Sequence, residues 1–118
     1  MSILANRAVS DRDAVMFDID NTLIFTDGRP NVPVIKLLYN ALDLGYKIII
    51  ITARPAQSNV MEYTKKQLHR YEIPYHRLYV TPAENKGNVK IMTGLNYVLS
   101  VGDQYTDLTD SMYVLKID

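Results

Sequence analysis

Two aspartates one residue apart, Asp18 and Asp20, follow the apolar run Val15-Met16-Phe17 and precede Thr22. On an extended strand, side chains two positions apart share a face, so both carboxylates project the same way if the strand persists that far. At the carboxyl end of a strand in an open α/β sheet they stand where such sheets bind ligands. Carboxylates this close repel each other unless a cation or a shared proton intervenes. A divalent metal held by oxygen ligands resolves the conflict. Taken alone, the pair reads as well as the start of a turn, because Asp favours turns and helix caps.

Three other segments carry residue types that fit the same chemistry. In Thr52-Ala53-Arg54-Pro55 a small hydroxyl residue leaves an apolar run and meets free backbone N–H groups ahead of a helix, which suits a phosphate. The plain alternative is a capping threonine beside a surface arginine. In Gly102-Asp103-Gln104-Tyr105-Thr106-Asp107 the glycine permits close backbone approach, and the two acids lie about one helical turn apart, a spacing that completes an oxygen-rich metal site. An N-cap aspartate on an acidic helix reads the same way. Lys86 and Lys90 lie between these two segments. A lysine brought to the same edge neutralises an anionic intermediate, although a solvated surface role is the default for any lysine.

The elements that must position these residues follow from periodicity. Residues 14–18 read as the first strand, and 24–30, with an Asp-Gly turn signal, as a hairpin-like flap. A helix follows, capped by Asn31 or Val32, with Pro33 in its first turn and Val34, Leu37, Leu38, Ala41 and Leu42 at helical spacing. Gly45 closes it. The β-branched run 47–51 is what a strand covered on both faces shows. A second helix spans 58–71 with Met61, Thr64, Leu68 and Tyr71 along one stripe. Strand 77–81, a short helix over 86–93 ending near Gly94, strand 97–101, a helical turn over 104–110 and strand 112–117 complete the series. Strand and helix alternate throughout. The expectation is therefore an α/β, Rossmann-like three-layer sandwich with a five-stranded parallel sheet, a short flap after strand one and right-handed crossovers. The loops after strands one, two and four then gather at one edge.

The bulk properties bound the rest. The 118 residues make one domain, expected as a polar, loose leader over 1–13 and a single catalytic domain over 14–118. The formal charge of zero supplies no global field toward nucleic acid or an anionic membrane. With no cysteine there is neither disulfide nor thiol catalysis. The early apolar piece Ile3-Leu4-Ala5 is too short for a signal-peptide core, and no stretch reaches membrane-spanning length. The expected location is cytoplasmic, with no membrane partner.

Taken together, the acid pair, the strand-end hydroxyl, the lysine and the second acid pair resemble the haloacid dehalogenase superfamily, in its phosphatase branch. The first motif, Asp-x-Asp-x-Thr, is Asp18-Ile19-Asp20-Asn21-Thr22; the second is Thr52; the third is Lys86 or Lys90; the fourth is Gly102-Asp103 through Asp107. The resemblance spans residues 14–117, and its first and fourth motifs are the specific ones. Thr52-Ala53-Arg54-Pro55, Gly102-Asp103-Gln104 and the Lys86/Lys90 spacing resemble the class III group that contains the class B acid phosphatases. The resemblance implies Asp18 as nucleophile forming an aspartyl-phosphate and Asp20 as general acid and base. It implies Mg²⁺ on Asp18, the Asp20 main-chain carbonyl and Asp103, with Asp107 a ligand through water or a partner behind them. Thr52, the Ala53 N–H and Lys86, the preferred lysine, then hold the phosphoryl oxygens. Within that resemblance, an aspartate at position 20 implies rapid turnover, hence a phosphatase or phosphotransferase.

The spaces 23–34 and 81–86 fit a flap and a loop but no cap domain. The substrate is then large enough to cover the site itself, or another subunit of a homo-oligomer does so. Two rivals remain. Polynucleotide 3′-phosphatase-like end processing draws on Lys65, Lys66, His69 and Arg70 of the second helix, with zero net charge against it. A catalytically silent binding module would have lost a motif residue, and none is lost.

Overall fold

The computed structural model describes residues 2–118. Its elements are α1 (Ser2–Ala5), β1 (Asp13–Phe17), α2 (Val32–Asp43), β2 (Lys47–Thr52), α3 (Ser58–Arg70), β3 (Arg77–Val80), α4 (Lys86–Thr93), β4 (Asn96–Gly102) and β5 (Tyr113–Lys116). Short 3₁₀ turns at Ala83–Asn85 and Tyr105–Asp107 lead into α4 and follow β4. The five strands form one sheet in the order β3-β2-β1-β4-β5, every pairing parallel. This is the α/β sandwich expected from the alternation of elements.

The central strands are apolar because both of their faces are covered. All of β1 and Ile48 to Ile51 of β2 are buried. One face of the sheet, with Val15, Phe17, Ile48, Ile50 and Val101, packs against Val34, Ile35, Leu38 and Ala41 of α2, Leu68 of α3 and Leu4 of α1. The other face, with Ala14, Met16, Ile49, Ile51 and Tyr97, receives Val89 of α4. The register of β1 against β4 shifts between Ala14 and Val15, so that Tyr97 and Leu99 become consecutive partners. A bulge of this kind bends the strand locally.

Residues 1–13 are not a loose leader as far as the structure describes them. Leu4 is fully buried in the main core, the Tyr46 hydroxyl donates to the Leu4 carbonyl at 2.8 Å, and Asp13 already belongs to β1. Three apolar residues are too few to show a period, but one of them suffices to plug the core. The expected turn over 104–110 is helical only at Tyr105–Asp107. The flap is present: Ile24 bridges Pro30 antiparallel, and Gly28 at φ 91° makes the turn. Its sequence bridges Leu23 directly to the start of α2 through the Asn31 N–H to Leu23 carbonyl bond, so no cap domain intervenes. Among the described residues no helix is long and apolar enough to cross a membrane.

Sequence order runs outward from β1 to β3 on one side, then returns to β4 and β5 on the other. The crevice between β1 and β4, at the carboxyl ends of the strands, is thus the point where ligands of such sheets bind.

Candidate active site

A cleft of about 340 Å³ opens at that point, lined among others by Asp18, Asp20, Ala53, Arg54, Lys86, Asp103, Gln104 and Asp107. Asp18 leaves the end of β1, its N–H held by the Val101 carbonyl of β4 at 3.0 Å. Asp103 leaves β4 directly, and Asp107 closes the 3₁₀ turn that follows. Lys86 begins α4. Residues separated by more than eighty positions in the chain therefore meet because β1 and β4 are neighbours in the sheet.

Lys86 is buried, with 3% of its surface exposed, and its Nζ donates to Asp18 Oδ1 at 2.9 Å and to Asp107 Oδ1 at 2.6 Å. Burial alone would lower its pKa, but Asp18 and Asp107 outweigh that and raise it above the ordinary lysine value. Burial pushes the Asp18 carboxyl up to about 7; the Lys86 ammonium opposes the rise, and the neighbouring Asp107 and Asp103 carboxyls add to it. Carboxylate oxygens of Asp18, Asp103 and Asp107 lie within 4.8 Å of one another. Hard oxygen donors crowded this closely, with Asp18 held up by burial and by like charge, fit a divalent cation such as Mg²⁺.

Asp107 is fixed from several directions. Its Oδ1 takes Lys86, its Oδ2 accepts the Gln104 N–H at 3.1 Å, and its main-chain carbonyl accepts Lys90 Nζ at 2.6 Å. It sits tight against Gly102, where an added Cβ would collide with Asp107 Cβ and Oδ2. The glycine of the fourth motif is there to admit this side chain. Asp107 thus stands with Asp18 and Asp103 in the carboxylate cluster.

Asp20 points to a different partner. Its two oxygens are forked by Arg54, with Nε to Oδ2 at 3.0 Å and Nη2 to Oδ1 at 2.8 Å. Arg54 Nη1 donates to Thr64 Oγ1 at 3.1 Å, and that hydroxyl donates to the Val60 carbonyl of α3 at 2.8 Å. The sequence left Arg54 as a surface residue. Its partners lie 34 and 10 positions away, so no local pattern announces them. Asp20's side chain takes no part in the carboxylate cluster. Thr52 is fully buried beneath the cleft, its Oγ1 accepting the Arg54 N–H at 3.2 Å, whereas Ala53 lines the opening.

The two candidate lysines part company. Lys86 faces the acids, while Lys90, one turn on, is 1% exposed and absent from the cleft lining. Burial pushes its ammonium down to about 8. Tyr105 is exposed, its ring beneath the Lys116 ammonium, and it does not line the cleft.

Comparison with known proteins agrees with this geometry at the level of family and fold. A family model for haloacid dehalogenase-like hydrolases matches residues 15–96, which contain Asp18, Asp20, Thr52, Arg54 and both lysines. No curated protein matches the chain. Two similar solved structures are those of a Pnkp1/Rnl/Hen1 complex, at TM-score 0.74 and 21% identity, and of a Pnkp1/Rnl/Hen1 RNA repair complex, at TM-score 0.72 and 20% identity. Each comparison covers 90% of this chain, and 46% and 42% of the respective neighbour chains, so the chain spans less than half the length of either. With its family signature over most of its length and its acids gathered where β1 meets β4, the chain belongs to the haloacid dehalogenase-like hydrolases.

Proposed function

We propose that this hydrolase is a Mg²⁺-dependent phosphatase that cleaves phosphomonoesters through an aspartyl-phosphate on Asp18. The observation that carries the reading is the placement of Asp18. It lies on the cleft at the β1–β4 junction, ion-paired to buried Lys86 and within 4.8 Å of two more carboxylates. A nucleophile for phosphorus needs cationic neighbours to accept phosphoryl charge, and Lys86 supplies one.

In this reading Asp18, Asp103 and Asp107 hold the Mg²⁺, with the Asp20 main-chain carbonyl as a further oxygen. The bound cation offsets the repulsion between the carboxylate nucleophile and the anionic ester. Asp18 attacks phosphorus, the ester oxygen leaves with a proton from Asp20, and Asp20 then takes a proton from the water that releases phosphate. Asp20 must let go of the Arg54 fork to reach the leaving oxygen. An arriving phosphoryl group competes for the same guanidinium, and Arg54 suits a bidentate grip on phosphate. Ala53 and Lys86 flank the phosphoryl oxygens, while Thr52 fixes the loop from below by its bond to the Arg54 N–H.

A nucleic-acid end is the second reading for the substrate. No cap domain intervenes between Leu23 and α2, which leaves room for a polymer, and one of the similar structures is described as an RNA repair complex. Basic residues Lys65, Lys66 and Arg70 on α3 are exposed.

A panel of phosphate esters tests both. Sugar phosphates, nucleoside monophosphates, p-nitrophenyl phosphate and a 3′-phosphorylated oligonucleotide are assayed for phosphate release with Mg²⁺ and with EDTA, for the wild type and Asp18→Asn. Metal-dependent release that vanishes in Asp18→Asn is expected. No release from any ester refutes the phosphatase. Release from small esters but not from the oligonucleotide removes the second reading.

A further inference from the structure

Lys90 is a buried ammonium that the chemistry above does not use. Among the described residues no carboxylate lies within ion-pair distance of it. Its Nζ donates instead to the Asp107 carbonyl at 2.6 Å, the Thr109 carbonyl at 2.6 Å and Ser100 Oγ at 3.0 Å, with Ser111 Oγ at 3.4 Å. Three protons thus meet oxygens from β4 and from the segment 107–111. Burying an ammonium costs several kcal/mol unless its protons are satisfied, and an apolar side chain would fill the same space without that cost. A Met or Leu here would serve packing alone. The ammonium does something an apolar chain cannot: it ties two carbonyls, one closing the 3₁₀ turn and one just after it, to a helix and to a strand.

The neighbouring geometry makes the same tie. At Gly87, one residue after Lys86, an added Cβ would collide with Asp110 Oδ2 and Thr109 Oγ1, so the start of α4 lies directly against this segment. Asp110 turns the segment with a φ of 55°, a left-handed backbone that Asp adopts more readily than most non-glycine residues. Lys86 and Lys90 lie one turn apart on α4 and grip the same residue. Lys86 takes the Asp107 carboxylate, and Lys90 takes its main-chain carbonyl.

We infer that Lys90 is a positioning residue, whose ammonium pins segment 107–111 to α4 and β4 and so fixes where the Asp107 carboxylate stands in the metal-binding cluster. The role is indirect, since Lys90 does not reach the cleft. It rests on the reading of Asp107 as a member of that cluster. The pin removes freedom from a ligand that would otherwise ride on an irregular loop, and outer partners of this kind change metal affinity by roughly 10–100-fold.

The test compares the wild type with Lys90→Met, which keeps length and volume, and with the double variant Ser100→Ala/Ser111→Ala, which leaves the ammonium in place but removes its two hydroxyl acceptors. Amide hydrogen exchange is followed at residues 103–111 and in β1 and β2. Mn²⁺ affinity is read by electron paramagnetic resonance, and the Mg²⁺ dependence of ester release is recorded. In Lys90→Met, exchange should quicken at 107–111 and not in β1 or β2, and Mn²⁺ should bind about tenfold more weakly or worse. The Mg²⁺ concentration for half-maximal release should rise in step, with the rate recovering at saturating metal. The double variant should move the same way by less. Unchanged exchange at 107–111 overturns the inference, and so does loosened exchange with unchanged Mn²⁺ affinity, which makes Lys90 a core residue only. If Lys90→Met does not fold, the double variant decides on the same two readouts. A wild type that binds Mn²⁺ but releases no phosphate sinks the phosphatase, while exchange and Mn²⁺ affinity still judge the pin.

Discussion

At the scale of single residues, the site turns on what burial does to Asp18. Its carboxyl stands at about 7 against an ordinary 3.8, burial being the main cause. Between those values the folded chain keeps a proton that the unfolded chain has already lost. Stability without metal therefore falls as pH rises from about 4 to about 7, and the loss is complete above that. Asp18→Asn removes the titration. In EDTA, its melting temperature should exceed that of the wild type at pH 8, and the gap should shrink toward pH 4. A gap that does not change with pH would mean that Asp18 ionises as freely in the fold as in the unfolded chain. Arg54 poses a separate question, since it occupies both oxygens of Asp20. Arg54→Ala should lower kcat/KM for a phosphate ester on the order of a hundredfold, the scale of losing one charged donor at such a centre. Arg54→Lys should recover only part, because a lysine keeps the charge and loses the planar fork. Full activity in Arg54→Ala would remove Arg54 from the chemistry.

At the scale of elements, the strands were readable because their environment writes itself into residue type. Ile48 to Ile51 are buried and β-branched, and no helix period competes with them. The acids were readable for a related reason: Asp18 and Asp103 are strand-end residues, so a strand boundary places them. What could not be read depends on contacts between distant segments. The fork from Arg54 to Asp20, the choice between Lys86 and Lys90, and the burial of Thr52 follow from how α3, α4 and β2 pack. Residues a helical turn apart on α4 carry no local mark of which one faces the acids. The first helix was missed for its brevity. Four residues give no period, yet Leu4 is wholly enclosed by the main core and its carbonyl receives Tyr46. Leu4→Ala should therefore cost about 2–5 kcal/mol in a urea or thermal unfolding measurement, the range for truncating a buried leucine. A cost below about 0.5 kcal/mol, the scale of a surface substitution, would restore the loose leader.

For the whole molecule, zero net charge conceals an uneven distribution. The cleft gathers four carboxylates, Asp18, Asp20, Asp103 and Asp107, against two cations, Arg54 and Lys86. An acidic excess of this kind repels a phosphate ester and attracts a divalent cation, so the proposed function requires that ester binding and metal binding be linked by charge. Metal binding is linked to stability as well, because a cation that binds only the folded chain stabilises it by mass action. At a concentration about a hundred times its Kd the gain is about 2.7 kcal/mol, several degrees in melting temperature for a domain of this length. Protons compete for the same oxygens, and Asp18 holds its proton up to about 7. The stabilisation by millimolar Mg²⁺ should accordingly be large at pH 8 and small at pH 5.5. Asp103→Asn, which takes one oxygen donor from the cluster, should reduce the increment at pH 8. Scanning calorimetry of both proteins at the two pH values, with and without Mg²⁺, measures it. If Mg²⁺ raises the melting temperature equally at both pH values, the cation binds outside the cluster around Asp18; if it raises neither, the three carboxylates do not form a metal site.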